Sequence, residues 1–206
     1  MHAILIVRPG EPPLSAPDGA QVYVRISTDD DLDAAMALRA AGLAIPVQAG
    51  GRDVARLGVR LAVHEAETGL ADGSTRILAL VETAGAVLAL PTLVAASQRL
   101  CGIAWDADTL ARDIGAAGSR DREGALIPPL ALVRAQVLLA AAAAGVAAVD
   151  TACAVEAAFL REVEEARRDG FRAKVGANHA QFAMGAFDAR SPRSSRSASL
   201  PPCGEG

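Results

Sequence analysis

A repeated alternation of short apolar segments with helical segments constrains the fold of this chain most strongly. It is clearest from Arg76 to Gly115, where RILALV and CGIAW are each followed by a helical segment. Strands that alternate with helices form βαβ units around a parallel sheet. The sequence predicts seven such strands, over residues 2–7, 21–26, 43–48, 76–81, 101–105, 146–150 and 171–177. We therefore predict an α/β fold, a (β/α)8 TIM-type barrel that could be incomplete at its N- and C-terminal ends, since such barrels typically need ~250 residues.

Composition bounds the class of protein. The chain has 206 residues, of which 51% are hydrophobic and 21% charged, and a net charge of −4, as is typical of one soluble globular domain. An acidic chain with 3% aromatic residues is a poor candidate for a nucleic-acid partner. We expect no membrane span, because the apolar run 137–149 contains Gly145 and is shorter than ~18 residues.

The cysteines indicate the cellular compartment of the protein, and the composition of the C-terminal residues indicates where the domain ends. Cys101 and Cys153 lie in apolar segments without metal-ligand spacing, so we expect free thiols in a cytoplasmic protein. The barrel domain is predicted over residues 1–188. Residues 189–206 are rich in Ser, Arg and Pro without an apolar period, and we expect a disordered tail there.

Acidic residues follow two neighbouring strands. Glu82 comes directly after RILALV, and Asp106 and Asp108 come after CGIAW. Side chains at the carboxyl ends of barrel strands point into the active-site mouth, and two carboxylates there suit Mg²⁺. The same acids could instead cap the following helices, because a carboxylate accepts hydrogen bonds from the free N–H groups of a first turn. Both interpretations stay open at this point.

Other charged residues have a binding and a structural interpretation. Arg25, at the end of QVYVRI, could bind substrate or pair with a neighbouring aspartate. Arg134 lies on the apolar segment VRAQVLL and needs a partner, which we expect to be structural. Asp150 could face the mouth or cap a helix. Lys174 is expected to extend to solvent rather than hold a phosphate. The apolar helix that includes Arg134 is predicted to pack on both sides.

Several segments together resemble a known family. They are VYVRIS, GVRLAVHEAETGLADGSTRILALVETAGAVLAL, CGIAWDADTLARDIG, VRAQVLLAAAAAGVAAVDT and EEARRDGFRAKVGANHAQF. In their order, which spans roughly residues 20–187, the chain resembles the citrate lyase beta-subunit-like proteins of the HpcH/HpaI aldolase superfamily. The resemblance implies a Mg²⁺-dependent lyase or aldolase that cleaves or forms a carbon–carbon bond in a citryl-CoA-, malyl-CoA- or 2-oxo-acid-like substrate. It also implies a homo-oligomer.

The resemblance assigns roles to three residues. Arg25 would be the catalytic and substrate-binding arginine, since a guanidinium binds a carboxylate through two parallel hydrogen bonds. Glu82 and Asp108 would be the metal ligands. The family pattern G-x-x-D-L, however, places its aspartate where this chain has Thr109. The lysine of the family's LPK stretch is also missing, since IPVQ ends in Gln48.

These departures leave three interpretations. The first is an active lyase with a diverged metal site. The second is a catalytically weak or inactive barrel that binds an acyl-CoA or an organic acid, which a collapsed mouth with Arg25 paired to an acid would favour. The third is a truncated remnant, which exposed strand edges would favour.

Overall fold

A computed structural model describes residues 1–8, 20–28, 31–38, 40–153, 155–176 and 181. The strands are β1 (His2–Val7), β2 (Ala20–Arg25), β3 (Gly42–Pro46), β4 (Arg76–Val81), β5 (Leu100–Trp105), β6 (Ala147–Asp150) and β7 (Ala173–Val175). The helices are α1 (Asp31–Ala37), α2 (Gly51–Thr68), α3 (Ala84–Leu88), α4 (Ala107–Asp113), α5 (Pro128–Ala143) and α6 (Glu156–Asp169), and a 3₁₀ turn spans Leu90–Leu93. The predicted tail, and Asn178 and His179, lie outside the described residues.

The strands form a closed parallel barrel. Each strand pairs with the next along the chain, and β1 also pairs with β7, so that the order β1 to β7 closes on itself. The α/β TIM-type barrel is thus confirmed, with all seven predicted strands present. None of the strands within the described ranges has a free edge, which argues against the truncated remnant.

Alternation along the strands separates an inner from an outer core. Side chains that face the barrel interior form one cluster, which includes Ile4, Tyr23, Leu78, Leu80, Ala104 and Val149. The alternate residues, such as Ile77, Ile103 and Trp105, pack against the helices. Gly102 fits where a larger residue would not, because a Cβ there would lie 2.9 Å from Leu78 and 3.1 Å from the Ala147 carbonyl oxygen.

A buried carboxylate fixes the amino end of the barrel. Glu65, near the end of α2, accepts hydrogen bonds from the backbone N–H groups of Gly73 and Thr75 and from the Ser74 hydroxyl, at 2.8–3.1 Å. Arg99, immediately before β5, donates to the same carboxylate at 2.9 Å. Helix α2 is thereby connected to the loop before β4 and to the start of β5.

A second charged cluster lies outside the barrel, between the strands and helices α5 and α6. Arg134 pairs with Asp150 at 3.1 Å and Asp169 at 2.6 Å, and it lies 4.6 Å from the Phe171 ring centroid. Its partners are structural, as predicted. Asp150 also accepts from the Trp105 indole N–H at 3.0 Å, so its carboxylate belongs to this outer layer.

The prediction for Lys174 was wrong. Its side chain is fully buried, and its Nζ donates to the Thr151 carbonyl oxygen at 2.7 Å and to Glu162 at 3.1 Å. Alternation turns Ala173 and Val175 toward the barrel interior, so Lys174 points outward and lies beneath α6. The carboxylate of Glu162 on that helix compensates the buried cation.

Helix α5 packs on one side only, in contrast to the prediction. Leu130, Val133, Val137 and Ala141 are buried against the barrel. Leu132 and Leu139 on the opposite face are 62% and 68% exposed. Within the described part of the chain, no helix is long and apolar enough to cross a membrane.

Candidate functional site

Strand alternation brings three charged side chains to the mouth of the barrel. Tyr23, Leu80 and Ala104 face the interior. Arg25, Glu82 and Asp106 each follow one of these residues by two positions, so the period of the strand directs them to the same interior side at the carboxyl end. The mouth therefore combines one guanidinium with two carboxylates from the ends of β2, β4 and β5.

Arg25 and Glu82 form a bidentate ion pair across the mouth. The Nη1–Oε1 distance is 2.5 Å and the Nη2–Oε2 distance is 2.9 Å. The Arg25 side chain is 23% exposed and the Glu82 side chain 8%. In this state the guanidinium makes with Glu82 the same parallel pair of hydrogen bonds that it would make with a substrate carboxylate.

Burial makes the Glu82 site unfavourable for a negative charge. Desolvation raises the pKa of Glu82 above its ordinary value, although the adjacent Arg25 guanidinium acts in the opposite direction. The charge of Asp106 contributes further to the raised pKa, which places the two carboxylates within electrostatic range of each other. A cation between them would be stabilised by both.

Asp106 is the N-cap of α4, so the capping alternative is confirmed for this residue. Its Oδ1 accepts from the backbone N–H groups of Asp108 and Thr109, both at 3.0 Å. Its Oδ2 accepts from the Thr109 hydroxyl at 2.9 Å. Thr109 stands at the position of the family aspartate. Its hydroxyl is thus bonded to the carboxylate of Asp106, three residues earlier in the chain.

The carboxylate of Asp108 lies in a different environment. Asp108 is exposed in the first turn of α4, and its Oδ1 accepts from the Ser119 hydroxyl at 2.5 Å. Its predicted role as the second metal ligand stays a prediction. The sequence pattern favours Asp108 for that role, whereas the electrostatic contact with Glu82 favours Asp106.

The mouth opens into a cavity of about 420 Å³. Arg25 and Glu82 lie at one part of it, and α2 forms a wall that presents Arg56 and Arg60. Sequence reasoning missed both arginines. The spacing of Arg52, Arg56 and Arg60 by four residues was a detectable signal, because it places the three on one helical face.

The donors at the mouth fit a magnesium ion. Glu82 and Asp106 offer hard oxygen ligands, and Mg²⁺ is usually bound by one or two carboxylates together with water and substrate oxygens. A carboxylate has about four acceptor positions, so Glu82 can accept from Arg25 and still ligate a cation. Within the described ranges, no group of three or more His, Cys, Asp or Glu side chains is arranged to hold a metal.

Comparison with protein families gives one match that covers most of the chain. A sequence model described as HpcH/HpaI aldolase/citrate lyase matches residues 14–179. No curated protein matches the chain.

Solved structures share the fold at low sequence identity. One is a citrate lyase beta subunit from M. tuberculosis complexed with oxaloacetate and magnesium, 24% identical over 87% of this chain and 76% of that one, with a TM-score of 0.65. Another is the protein CitE from Mycobacterium tuberculosis with magnesium, acetoacetate and coenzyme A, 20% identical over 90% and 80%, with a TM-score of 0.67. RipC from Yersinia pestis is 22% identical over 91% and 93%, with a TM-score of 0.63.

Proposed function

Because the chain belongs to the HpcH/HpaI aldolase/citrate lyase family, we propose that it is a Mg²⁺-dependent carbon–carbon lyase acting on a citryl-CoA-, malyl-CoA- or 2-oxo-acid-like substrate. The observation that carries this proposal is the common position of Arg25 and Glu82 in one cavity at the carboxyl end of the barrel. Solved relatives of the same fold hold magnesium together with oxaloacetate or acetoacetate.

Arg25 would bind the substrate carboxylate by exchanging one partner for another. In the free protein its guanidinium is bonded to both oxygens of Glu82. An incoming carboxylate offers the same fork geometry and competes for these donors. As Arg25 turns to the substrate, Glu82 loses its compensating charge in a buried site, where its negative charge is already unfavourable.

Glu82 would then hold magnesium together with a carboxylate from the segment after β5, either Asp108 or Asp106. The ion, when bound, would polarise the substrate carbonyl and stabilise the negative charge that develops as the bond breaks. Asp106 also keeps the start of α4 in place through its cap bonds. Arg25 orients the substrate relative to these acids, since its guanidinium has a fixed plane.

A binding protein with weak or no turnover is the second candidate. Two observations favour it: Arg25 is paired with an acid, and Thr109 replaces the family's aspartate. The cavity of about 420 Å³ beside Arg25 and Glu82, however, supports an open mouth. The two candidates differ in turnover and share the role of Arg25 in binding.

Calorimetry and a cleavage assay test the proposal together. Arg25→Lys keeps the charge but loses the fork, so affinity for oxaloacetate in the presence of Mg²⁺ should fall about tenfold or more, equivalent to ~1.4 kcal/mol. Arg76→Lys, at the opposite end of β4, is the matched control and should leave the dissociation constant unchanged. Equal affinities of both variants for oxaloacetate would rule out binding of the substrate carboxylate by Arg25.

Turnover separates the two candidates. Wild-type protein should cleave malyl-CoA or citryl-CoA only with Mg²⁺ added, and Glu82→Gln should abolish cleavage. Binding of oxaloacetate that depends on Arg25, without cleavage of either thioester, would establish the binding protein instead.

A further inference from the structure

The segment that joins β5 to α4 carries both candidate metal-binding aspartates, and it is bonded sideways to the end of β6. The paired residues of β5 and β6 end before this segment, so side chains make the connection. The Trp105 indole N–H donates to Asp150 Oδ1 at 3.0 Å. The Ala107 backbone N–H donates to Thr151 Oγ1 at 3.0 Å. Asp106 therefore lies between two residues that are each bonded to the same neighbouring strand end.

The bond to Thr151 completes the start of α4. The first N–H groups of a helix have no partner within the helix, and an N-cap side chain accepts from the second or third of them. Asp106 does this through Oδ1, which accepts from Asp108 and Thr109. The N–H of Ala107, the first residue of α4, is left over by this cap. Thr151 supplies its acceptor from 44 positions further along the chain.

Thr151 is itself held in place through its backbone. The residue is 3% exposed. Its N–H donates to Asp150 Oδ1 at 3.0 Å, and its carbonyl oxygen accepts from the buried Lys174 at 2.7 Å. The hydroxyl oxygen that meets Ala107 therefore has a fixed position, as groups that orient metal-binding side chains require.

We propose that Thr151 is a positioning residue, whose hydroxyl fixes the start of α4 and thereby the carboxylates of Asp106 and Asp108 at the mouth of the barrel. The inference rests on the proposed function for the metal-binding role of these acids. Because Ala107 lies between the two aspartates, a displacement of its backbone moves both, whichever of them is the ligand. Thr151 does not line the cavity at the mouth, so it acts through the aspartates and not on the substrate.

Amide hydrogen exchange of the metal-free full chain, followed by NMR, tests the bond. Thr151→Val keeps the shape of the side chain and removes the acceptor oxygen, so the Ala107 amide should exchange about fivefold faster or more, as loss of one hydrogen bond implies. Thr151→Ser keeps the oxygen and should restore exchange to within about twofold of wild type. Thr151→Ala removes the oxygen from a smaller side chain and provides the same measurement if the valine variant does not fold. Unchanged exchange of the Ala107 amide would overturn the inference.

Calorimetric titration with Mg²⁺ in the presence of oxaloacetate tests the consequence for the site. Thr151→Val should weaken Mg²⁺ binding about tenfold or more, the usual effect of removing a group that orients a metal ligand, and Thr151→Ser should restore it. Thr92→Val is the matched control, because the Thr92 hydroxyl accepts from the N–H of Gly51, the first residue of α2, at 2.9 Å. It removes the same kind of bond from a helix that carries neither aspartate, so Mg²⁺ affinity should change less than about twofold.

The outcomes separate failure of this inference from failure of the proposed function. If wild-type protein binds Mg²⁺ and Thr151→Val binds it equally, or if Thr92→Val weakens binding as much, Thr151 does not position the acids. If wild-type protein binds no Mg²⁺ while Thr151→Val still speeds exchange of the Ala107 amide, the proposed function fails and the role of Thr151 in fixing the start of α4 stands.

Discussion

Two ion pairs of the same residue types lie at opposite ends of the barrel and behave differently. At the amino end, Glu65 is bonded to Arg99 and to three donors of the loop before β4, two of which are backbone N–H groups. At the carboxyl end, Glu82 is bonded by Arg25. The first carboxylate accepts hydrogen bonds from an arginine and from a loop. Among the described residues, the hydrogen bonds to the second carboxylate come from the Arg25 side chain.

The pKa values of the two carboxylates move in opposite directions. Burial alone would raise the pKa of Glu65, but the Arg99 guanidinium and the backbone N–H groups of Thr75 and Gly73 outweigh it and lower the pKa to about 2. Burial of Glu82 is not outweighed, and its pKa is raised. In barrels of this type the amino end serves stability and the carboxyl end serves chemistry. A buried acid with few fixed donors therefore indicates the functional end.

The largest expected effect is on stability. Glu65→Gln should lower the free energy of unfolding by about 3 kcal/mol or more, because it leaves Arg99 without its buried partner. Glu82→Gln should cost less than ~1 kcal/mol, since the charge it removes is unfavourable in the folded state. Urea unfolding at pH 7 measures both. Similar losses for the two variants would contradict the division between the two ends.

The pH dependence of stability should follow Glu65. Its pKa of about 2 in the folded state lies below the ordinary 4.5, so its contribution is fully present above about pH 4.5 and is lost as the pH falls toward 2. The loss is on the order of 3 kcal/mol, and Glu65→Gln should lack it. Glu82 acts with the opposite sign, because a raised pKa favours protonation in the folded state. Urea midpoints between pH 6 and pH 3 should therefore fall less steeply in Glu65→Gln than in Glu82→Gln. Equal slopes would exclude Glu65 as the source of the pH dependence.

Magnesium affinity should distinguish the two aspartates after β5. Asp106→Asn and Asp108→Asn each remove one charge while keeping the side-chain size. The variant that removes a ligand should weaken Mg²⁺ binding about tenfold or more, or ~1.4 kcal/mol, and the other should change it little. Calorimetric titration with Mg²⁺ in the presence of oxaloacetate provides the measurement. No change in either variant would leave Glu82 as the sole protein ligand and refute a two-carboxylate site.

The smallest effect concerns Thr109. Thr109→Asp alone adds a carboxylate beside Asp106 and removes the hydroxyl that donates to it, so we expect no gain in Mg²⁺ affinity and a loss of stability of ~1 kcal/mol. Thr109→Asp combined with Asp106→Gly recreates the pattern G-x-x-D-L and should bind Mg²⁺ more tightly than Thr109→Asp alone. Isothermal titration of both variants, with Asp106→Gly as the control, gives the comparison. Tighter binding by Thr109→Asp alone would mean that Asp106 does not occupy that position.

Sequence patterns predicted the structural features that depend on residues close together along the chain. The seven strands follow from apolar runs separated by helical segments, and the cap at Asp106 follows from an acid before a helix. The Arg25–Glu82 pair joins residues 57 positions apart, and no local pattern contains that contact. The burial of Lys174 depends on Glu162 of a different element. Contacts of this kind are set by the closure of the barrel, which the sequence shows only through its overall order of elements.

The buried lysine on β7 has a consequence for how the barrel closes. Strand β7 joins β1 to β6, and it carries Lys174 into a fully buried layer. A cation enters such a layer at low cost only when its counter-charges are already there. Asp150 of β6 lies 3.7 Å from the lysine Nζ, and the nearer carboxylate, Glu162 at 3.1 Å, arrives with α6. If β7 approached β1 before α6 was in place, Lys174 would have only the more distant of these two carboxylates. The lysine therefore couples closure of the ring to the docking of the helix that precedes β7.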